Sequence, residues 1–253
     1  SLKAFKYNYI ETIIIVLAFI LNPFVSLILT ILFVVYKNNN YLNFLLIINA
    51  SLFISLLNTT KVPESDLLSY HDFYLDSEKY TLLDYLSIYN REFLFYFSSY
   101  VISSITEGSW KLFIFFTTFI SYFLILKSNF LIYKIFNPKS TKFYLAILSV
   151  AFFYILFSHS AHLLRNFIAA SFVIYFLVNY YFLGKNKWWF LISAVLIHST
   201  AGLFAITYLL PKTLEKNTLK KWFNIALVLL VTFTYLNFND TFLKSNYQIN
   251  RLN

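Results

Sequence analysis

The sequence predicts an all-α protein, a polytopic integral membrane helix bundle of about seven to nine apolar segments. Three observations carry this. Of 253 residues, 59% are hydrophobic and only 12% are charged, with a mean hydropathy of +0.66. A soluble domain carries roughly 25% charged residues. The apolar residues fall in blocks approaching the ~20 residues that cross a hydrocarbon core as a helix. No block alternates apolar with polar residues as a spanning barrel strand would. The 21 Tyr and 31 Phe suit interfacial belts and lipid-facing surface.

The segments follow in order. Residues 9–36 are apolar around Asn22–Pro23 and form either one kinked helix or a hairpin of two short helices. Residues 41–57 form a helix, 58–92 are polar, and 93–106 are apolar but too short to span. Residues 110–126, 143–157, 166–183, 188–210 and 222–238 read as spanning helices, 143–157 being short and in need of extension. The whole chain, 1–253, reads as a single transmembrane domain, with an extracytoplasmic region at 58–110 inserted in it. No basic n-region precedes a small-residue cleavage site, so no removable signal peptide is expected. The chain holds no Met and begins at Ser1, which reads as a trimmed sequence. Without cysteine there is neither disulfide nor thiol chemistry.

Orientation follows from lysines in the short loops. Lys127, Lys134, Lys139 and Lys142 border one loop, and Lys185 and Lys187 border the turn two helices later. Both are expected to face the cytoplasm. Lys37 joins them if 93–106 does not span, and Lys3 and Lys6 join if 9–36 is a hairpin. The segment 58–92 then faces outward. The four lysines of 211–221 dissent, since that loop also falls outside.

Two polar features interrupt the apolar plan. Seven of eleven acids lie in 58–92 (Glu64, Asp66, Asp72, Asp76, Glu78, Asp84 and Glu92), against Lys61, Lys79 and Arg91, for a net charge of −4 within a +9 chain. Tyr70, Phe73, Tyr74, Tyr80, Tyr85 and Tyr89 interleave with them. Carboxylates that accept from hydroxyls, beside aromatic faces, suit a carbohydrate. A solvated loop with tyrosines at headgroup level fits the same pattern. The second feature is "SHSAHLLRNFIAAS", residues 158–171, which places His159, His162, Arg165 and Asn166 at an outer helix mouth. If the stretch is one helix, His162, Arg165 and Asn166 share a face. A guanidinium there can clamp a phosphate or diphosphate with parallel hydrogen bonds, and the positive helix end favours an anion. An arginine snorkelling to headgroups is the plainer reading.

His198 is expected near the middle of helix 188–210, on a stripe of small residues with Ala194, Ala201, Gly202 and Ala205. Such a stripe turns towards neighbouring helices. A histidine there is either a general base or an interhelical hydrogen bonder. No metal is required by these residues, because Asp-x-Asp is absent and His and acids show no ligand spacing. Three glycines nearly exclude a glycine-rich phosphate cradle, and HExxH and a nucleophile elbow are absent. No cofactor is expected. The basic net charge reflects topology and does not call for nucleic acid.

The run "LLRNFIAASFVIYFLVNYYFLGKNKWWFLISAVLIHSTAGLFAITYLLP" resembles the EpsG-type, Wzy-like polysaccharide polymerase family. That family shows an Arg-Gln-x-x-Ala helix, a basic turn, then a helix ending Ala-x-x-x-His-x-Ser-Ala and a proline. The equivalents are Arg165, Asn166 and Ala169, then Lys185 and Lys187, then Ala194, His198, Thr200 and Ala201, then Pro211. Asn166 stands where the family has Gln. Upstream, "SDLLSYHDFY" resembles an Asp-x-x-x-Tyr loop through Asp66 and Tyr70. "REFLFYFSSYVISS" resembles a Glu-Pro-x-Phe helix through Glu92, without the proline. Members of the family are usually longer, which implies further C-terminal helices.

The resemblance implies a glycosyltransferase that polymerises an O-antigen, capsule or other exopolysaccharide. It would join polyprenyl-diphosphate-linked repeat units at the outer face of a bacterial cytoplasmic membrane. Catalytic roles are expected for Arg165, which stabilises the departing diphosphate, and for Asp66, Asp72 or His198 as base. Substrate binding is expected at Tyr70, His71, Tyr74, Glu92, His159, His162 and Asn166. The partners implied are the lipid-linked glycan, the bilayer, a flippase and a chain-length regulator. A membrane O-acyltransferase and a lipid-linked sugar transporter remain the alternatives. The transporter would need inverted repeats, and only Asn22–Pro23 hints at a broken helix.

Overall fold

The computed structural model describes residues 2–37, 39–63, 66–89, 92–136 and 142–204, the side chains of 2–9, 161 and 162 excepted. Every regular element among them is helical. The last residues of the span expected at 188–210, the span expected at 222–238 and the lysine-rich loop 211–221 lie outside the described residues.

Asn22 and Pro23 resolve the first ambiguity in favour of a hairpin. Helix α1 (Leu2–Leu21) ends at Asn22, and α2 (Pro23–Lys37) begins with proline, whose missing N–H costs nothing at a first helical position. The Asn22 side chain caps α2 by accepting from the Phe24 and Val25 N–H groups at 2.9 and 3.3 Å. Lys37 at the far end of α2 pairs with Glu11 of α1. One continuous helix would separate those residues by about 39 Å. The helices therefore run back along each other, and Ser26 Oγ donates to the Ile15 carbonyl at 2.9 Å.

Helix α3 (Asn40–Asn58) and α7 (Trp110–Phe136) are each long and apolar enough to cross a bilayer alone. Their buried polar residues bind the bundle together. Asn49 Nδ2 donates to Ser26 Oγ and Thr30 Oγ1 at 2.8 and 2.7 Å, joining α3 to α2. Asn58 Nδ2 donates to Thr118 Oγ1 and to Ser160 Oγ at 3.0 and 2.7 Å. Where no water competes, such groups must be answered within the protein. Asn49→Ala removes two of these bonds and is expected to cost about 1–2 kcal/mol. A melting temperature in detergent lowered by several degrees, with an unchanged elution profile, is the check.

The polar segment 58–92 is more ordered than a loop. Thr81 accepts from the Asp84 N–H at 3.4 Å and donates to its carboxylate at 2.6 Å, starting α5 (Leu82–Ile88) after α4 (Asp66–Asp76). Both helices are short, and most of their aromatics turn inward. Tyr70, Phe73, Tyr74 and Tyr85 are buried with Phe95 of α6 (Phe93–Thr106) and Phe113 of α7. The expected sugar-facing aromatic surface is thus largely core. Burial of several hundred square ångströms of ring outweighs solvation of the phenol tips, which find internal partners. At the end of α6, Glu107 and Gly108 are both left-handed (φ 50° and 71°), and the Glu78 carboxylate fills the space a Cβ on Gly108 would take.

Two expected spans are broken. The stretch 143–157 divides into α8 (Phe143–Ala151) and α9 (Tyr154–His162), bent by 52° around Phe152 and Phe153. Lys61 braces the second half, donating to the Phe157 carbonyl at 2.8 Å with its ammonium 3.8 Å from that ring's centre. Leu163 then interrupts the chain before α10 (Leu164–Leu177), which closes in a π-helical turn, Val178–Phe182. His162 and Arg165 accordingly do not sit on one uninterrupted helix. Helix α11 (Trp188–Ile197) ends where 188–210 was expected to continue. His198 is extended (φ −153°, ψ 122°), and a 3₁₀ segment, Ser199–Phe204, follows. His198 is therefore at a helix break and not at mid-helix.

Large apolar side chains also cover the outside. Ile20 and Leu21 on α1 are 74% and 86% exposed, and Trp188 and Trp189 are 55% and 51% exposed. A water-facing surface of that kind would aggregate, whereas lipid solvates it, and tryptophans mark its boundary. The protein is a helical membrane protein.

Candidate active site

Four segments of backbone meet at one cluster, three of them at a helix start or break. Helix α4 supplies Tyr70 and the N-cap of α6 supplies Glu92. The first turn of α10 supplies Arg165, and the break after α11 supplies His198. Glu92 is the hub. One carboxylate oxygen, Oε2, accepts from Arg165 Nη1, and the other, Oε1, pairs with His198 Nδ1. Arg165 Nε also donates to the Tyr70 hydroxyl at 3.3 Å, with the guanidinium carbon 5.3 Å from the centre of that ring. Arg165 Nη1 reaches the Tyr96 hydroxyl at 3.5 Å.

Local structure explains why these groups are held. Glu92 is the residue before α6, so its side chain is fixed at a helix start, and Tyr96 lies one turn further on the same face. Tyr96 stacks on Tyr89, ring centres 4.8 Å apart. Tyr70 packs edge-on against Phe73 and Phe95. The helix break leaves His198 in extended backbone, which lets its ring turn towards Glu92 while Ala194 and Ala201 remain buried.

The electrostatics follow from burial. The Glu92 side chain is 6% exposed, His198 19% and Arg165 32%. Burial would raise the Glu92 pKa, but the His198 hydrogen bond and the Arg165 charge outweigh it and hold the carboxyl below its ordinary value. A carboxylate only accepts, so the His198 Nδ1 carries a proton and donates it to Glu92. In the neutral ring, Nε2 is then a free base. Arg165 spends Nε and Nη1 on internal partners, and its Nη2 donors make no bond to a described residue. The arrangement thus presents a fixed cation and an oriented imidazole from one carboxylate.

Other expected site residues do not join it. Asp66 is exposed in the first turn of α4, one turn before Tyr70. The Asp72 side chain is 69% exposed, its nearest charge partner being His71 Nδ1 at 3.7 Å. His71 lies edge-on to Trp110 at 5.3 Å. Tyr74 is fully buried, stacked on Phe113 at 4.8 Å and bonded to Thr106 and the Ser109 carbonyl, so it packs the core. His159 Nδ1 pairs with the Ile155 carbonyl of its own helix at 3.0 Å. Asn166 is exposed, and the His162 side chain is outside the described residues. Tyr96 was not singled out in the sequence, although its place four residues after Glu92 put it within reach. Among the described residues no group of three or more His, Cys, Asp or Glu gathers to hold a metal ion.

The fold and this cluster define a helical membrane protein whose charged residues converge from distant helices on a buried carboxylate. The family model of the EpsG family matches residues 44–251, spanning every member of the cluster. The chain belongs to the EpsG family, and is a polymerase-like membrane protein of polysaccharide biosynthesis. No curated protein and no solved structure matches it.

Proposed function

We propose that the protein is a glycosyltransferase that joins polyprenyl-diphosphate-linked oligosaccharide repeat units into a surface polysaccharide. The observation that carries this reading is the Arg165–Glu92–His198 chain. Transfer breaks the bond between the anomeric carbon and the lipid diphosphate oxygen. It forms a bond from that carbon to an acceptor hydroxyl oxygen. The departing group is already a stable anion, so it needs cationic stabilisation more than a proton, and the open Nη2 edge of Arg165 supplies it. The acceptor hydroxyl must lose a proton, and His198 Nε2 takes it, with Glu92 supporting the imidazolium that forms. On this reading the base is His198 rather than Asp66 or Asp72.

The membrane is a bacterial cytoplasmic membrane and the cluster faces outward, a reading supported by Lys127, Lys134, Lys185 and Lys187 at the opposite ends of α7 and α10. A flippase then delivers the substrate, and a chain-length regulator acts on the product.

The purified protein, given a lipid-diphosphate-linked repeat unit and no other enzyme, is expected to produce a ladder of polymer on a gel. Folded protein that yields no ladder from a competent substrate overturns the reading.

A further inference from the structure

A second cationic site lies at the other end of α10. Helices α7 and α10 run side by side in one direction, with Tyr122 against Phe167 near Arg165 and Phe136 against Phe182 at the far end. Between them Tyr175 is 4% exposed, and two lysines converge on it. Lys187 Nζ donates to the Tyr175 hydroxyl at 3.2 Å and lies 5.0 Å from the ring centre. Lys127 Nζ lies 5.4 Å from the same ring and 5.3 Å from Phe123. The backbone is shaped for this convergence. The π-helical turn Val178–Phe182 and left-handed Gly184 (φ 63°) reverse the chain, so that the Lys185 N–H bonds the Asn179 carbonyl at 2.8 Å. Lys187 thereby returns towards Tyr175, two turns back on α10.

Two half-buried ammonium groups on one phenol are costly unless an anion answers them. From Gly108 to Leu214 the sequence contains no Asp or Glu. Arg165 in that stretch is answered by Glu92 from the other half of the chain. Lys127 and Lys187 form no ion pair with any described residue, and the Tyr175 hydroxyl proton is donated to none. Among the described residues the site therefore offers two cations and one O–H donor, and no carboxylate. Exposed Trp188 and Trp189 beside it mark the level of lipid headgroups.

We infer that Lys127, Lys187 and Tyr175 form a phosphate-binding site for the headgroup of an anionic phospholipid, at the opposite end of α10 from Arg165. Two ammonium groups and a hydroxyl, with no carboxylate among the described residues, select a phosphate oxyanion, and the interfacial setting makes a lipid its source. This inference stands independently of the polymerase reading.

The test uses the full chain in neutral detergent, with melting followed on adding phosphatidylglycerol, phosphatidylcholine or inorganic phosphate. Phosphatidylglycerol is expected to raise the melting temperature by about 5 °C at saturating concentration. Phosphatidylcholine is expected to leave it within about 1 °C, because its choline cancels the phosphate charge. Lys127→Gln with Lys187→Gln loses the response, and Lys127→Arg with Lys187→Arg keeps it. An equal response in the glutamine variant overturns the site. An equal rise with inorganic phosphate overturns the lipid as its source. Should the glutamine variant not fold, native mass spectrometry of the wild type decides. Retention of phosphatidylglycerol no greater than of phosphatidylcholine overturns the proposal.

Discussion

Arg165→Lys is expected to reduce polymer formation by about 100-fold or more while leaving the protein folded. The substitution keeps a positive charge at the helix mouth, so a purely electrostatic role would survive it. What it removes is the planar fork. Arg165 uses Nε for Tyr70 and Nη1 for Glu92, and still presents the Nη2 edge to a ligand. A lysine ammonium is a point charge on a flexible stem. Drawn to Glu92, it no longer offers a second, fixed pair of donors to a departing diphosphate. Rates from a gel-based ladder assay, with retained elution volume, measure the effect. Activity within a few-fold of wild type would show that charge alone suffices, and the bidentate role would fall.

Glu92→Gln is expected to lose activity by a similar factor and, in addition, to destabilise the protein. The carboxylate accepts from both sides, Arg165 on one oxygen and His198 on the other. A glutamine amide has one accepting end and one donating end. Whichever way it turns, either Arg165 or His198 faces a donor. If it is His198, the imidazole adopts the tautomer with Nε2–H and can no longer take the acceptor's proton. In either orientation Arg165, a partly buried cation, loses its counter-charge, at a cost of about 2–4 kcal/mol. A melting temperature lowered by about 5–10 °C, with activity lost well below that temperature, separates the two effects.

The pH dependence follows with a definite sign. The Glu92 carboxyl is held below its ordinary value in the folded protein. Its contribution to stability is present above the ordinary glutamate value of about 4.3 and is lost as pH falls through the depressed folded value. Glu92→Gln has no such carboxyl, so its stability is expected to change less across that acidic window.

Much of this site was legible from residues that violate their surroundings. Arg165 and His198 stand out because ionisable side chains are rare in apolar helices. Glu92 and Tyr70 were visible through the family resemblance, although Glu92 was read as gripping sugar when its oxygens are spent on Arg165 and His198. The aromatic, acidic segment misled for a general reason. Tyrosine is amphipathic, and composition cannot distinguish a phenol facing a carbohydrate from one folded over a core. Tyr70, Tyr74 and Tyr85 went inward with Leu67, their rings packing against Phe95, Tyr96 and Phe113.

The membrane setting, the helical class and the family were determined by the sequence alone, because hydrophobic block length and local motifs are properties of neighbouring residues. Asn22–Pro23 carried both halves of its own hairpin, a cap and a start. The helix breaks at Phe152–Phe153 and His198 fell within stretches that read as continuous apolar helix, and the break at Leu163 fell in the polar stretch between two of them. Apolar composition reports that a segment is in lipid, and not whether its hydrogen-bond ladder is whole. Only the tertiary structure brought Glu92 against His198, 106 residues away in sequence, and set Lys127 and Lys187 on one phenol. Such contacts depend on how helices pack, and a charge's partner across the bundle leaves no trace in the residues on either side of it.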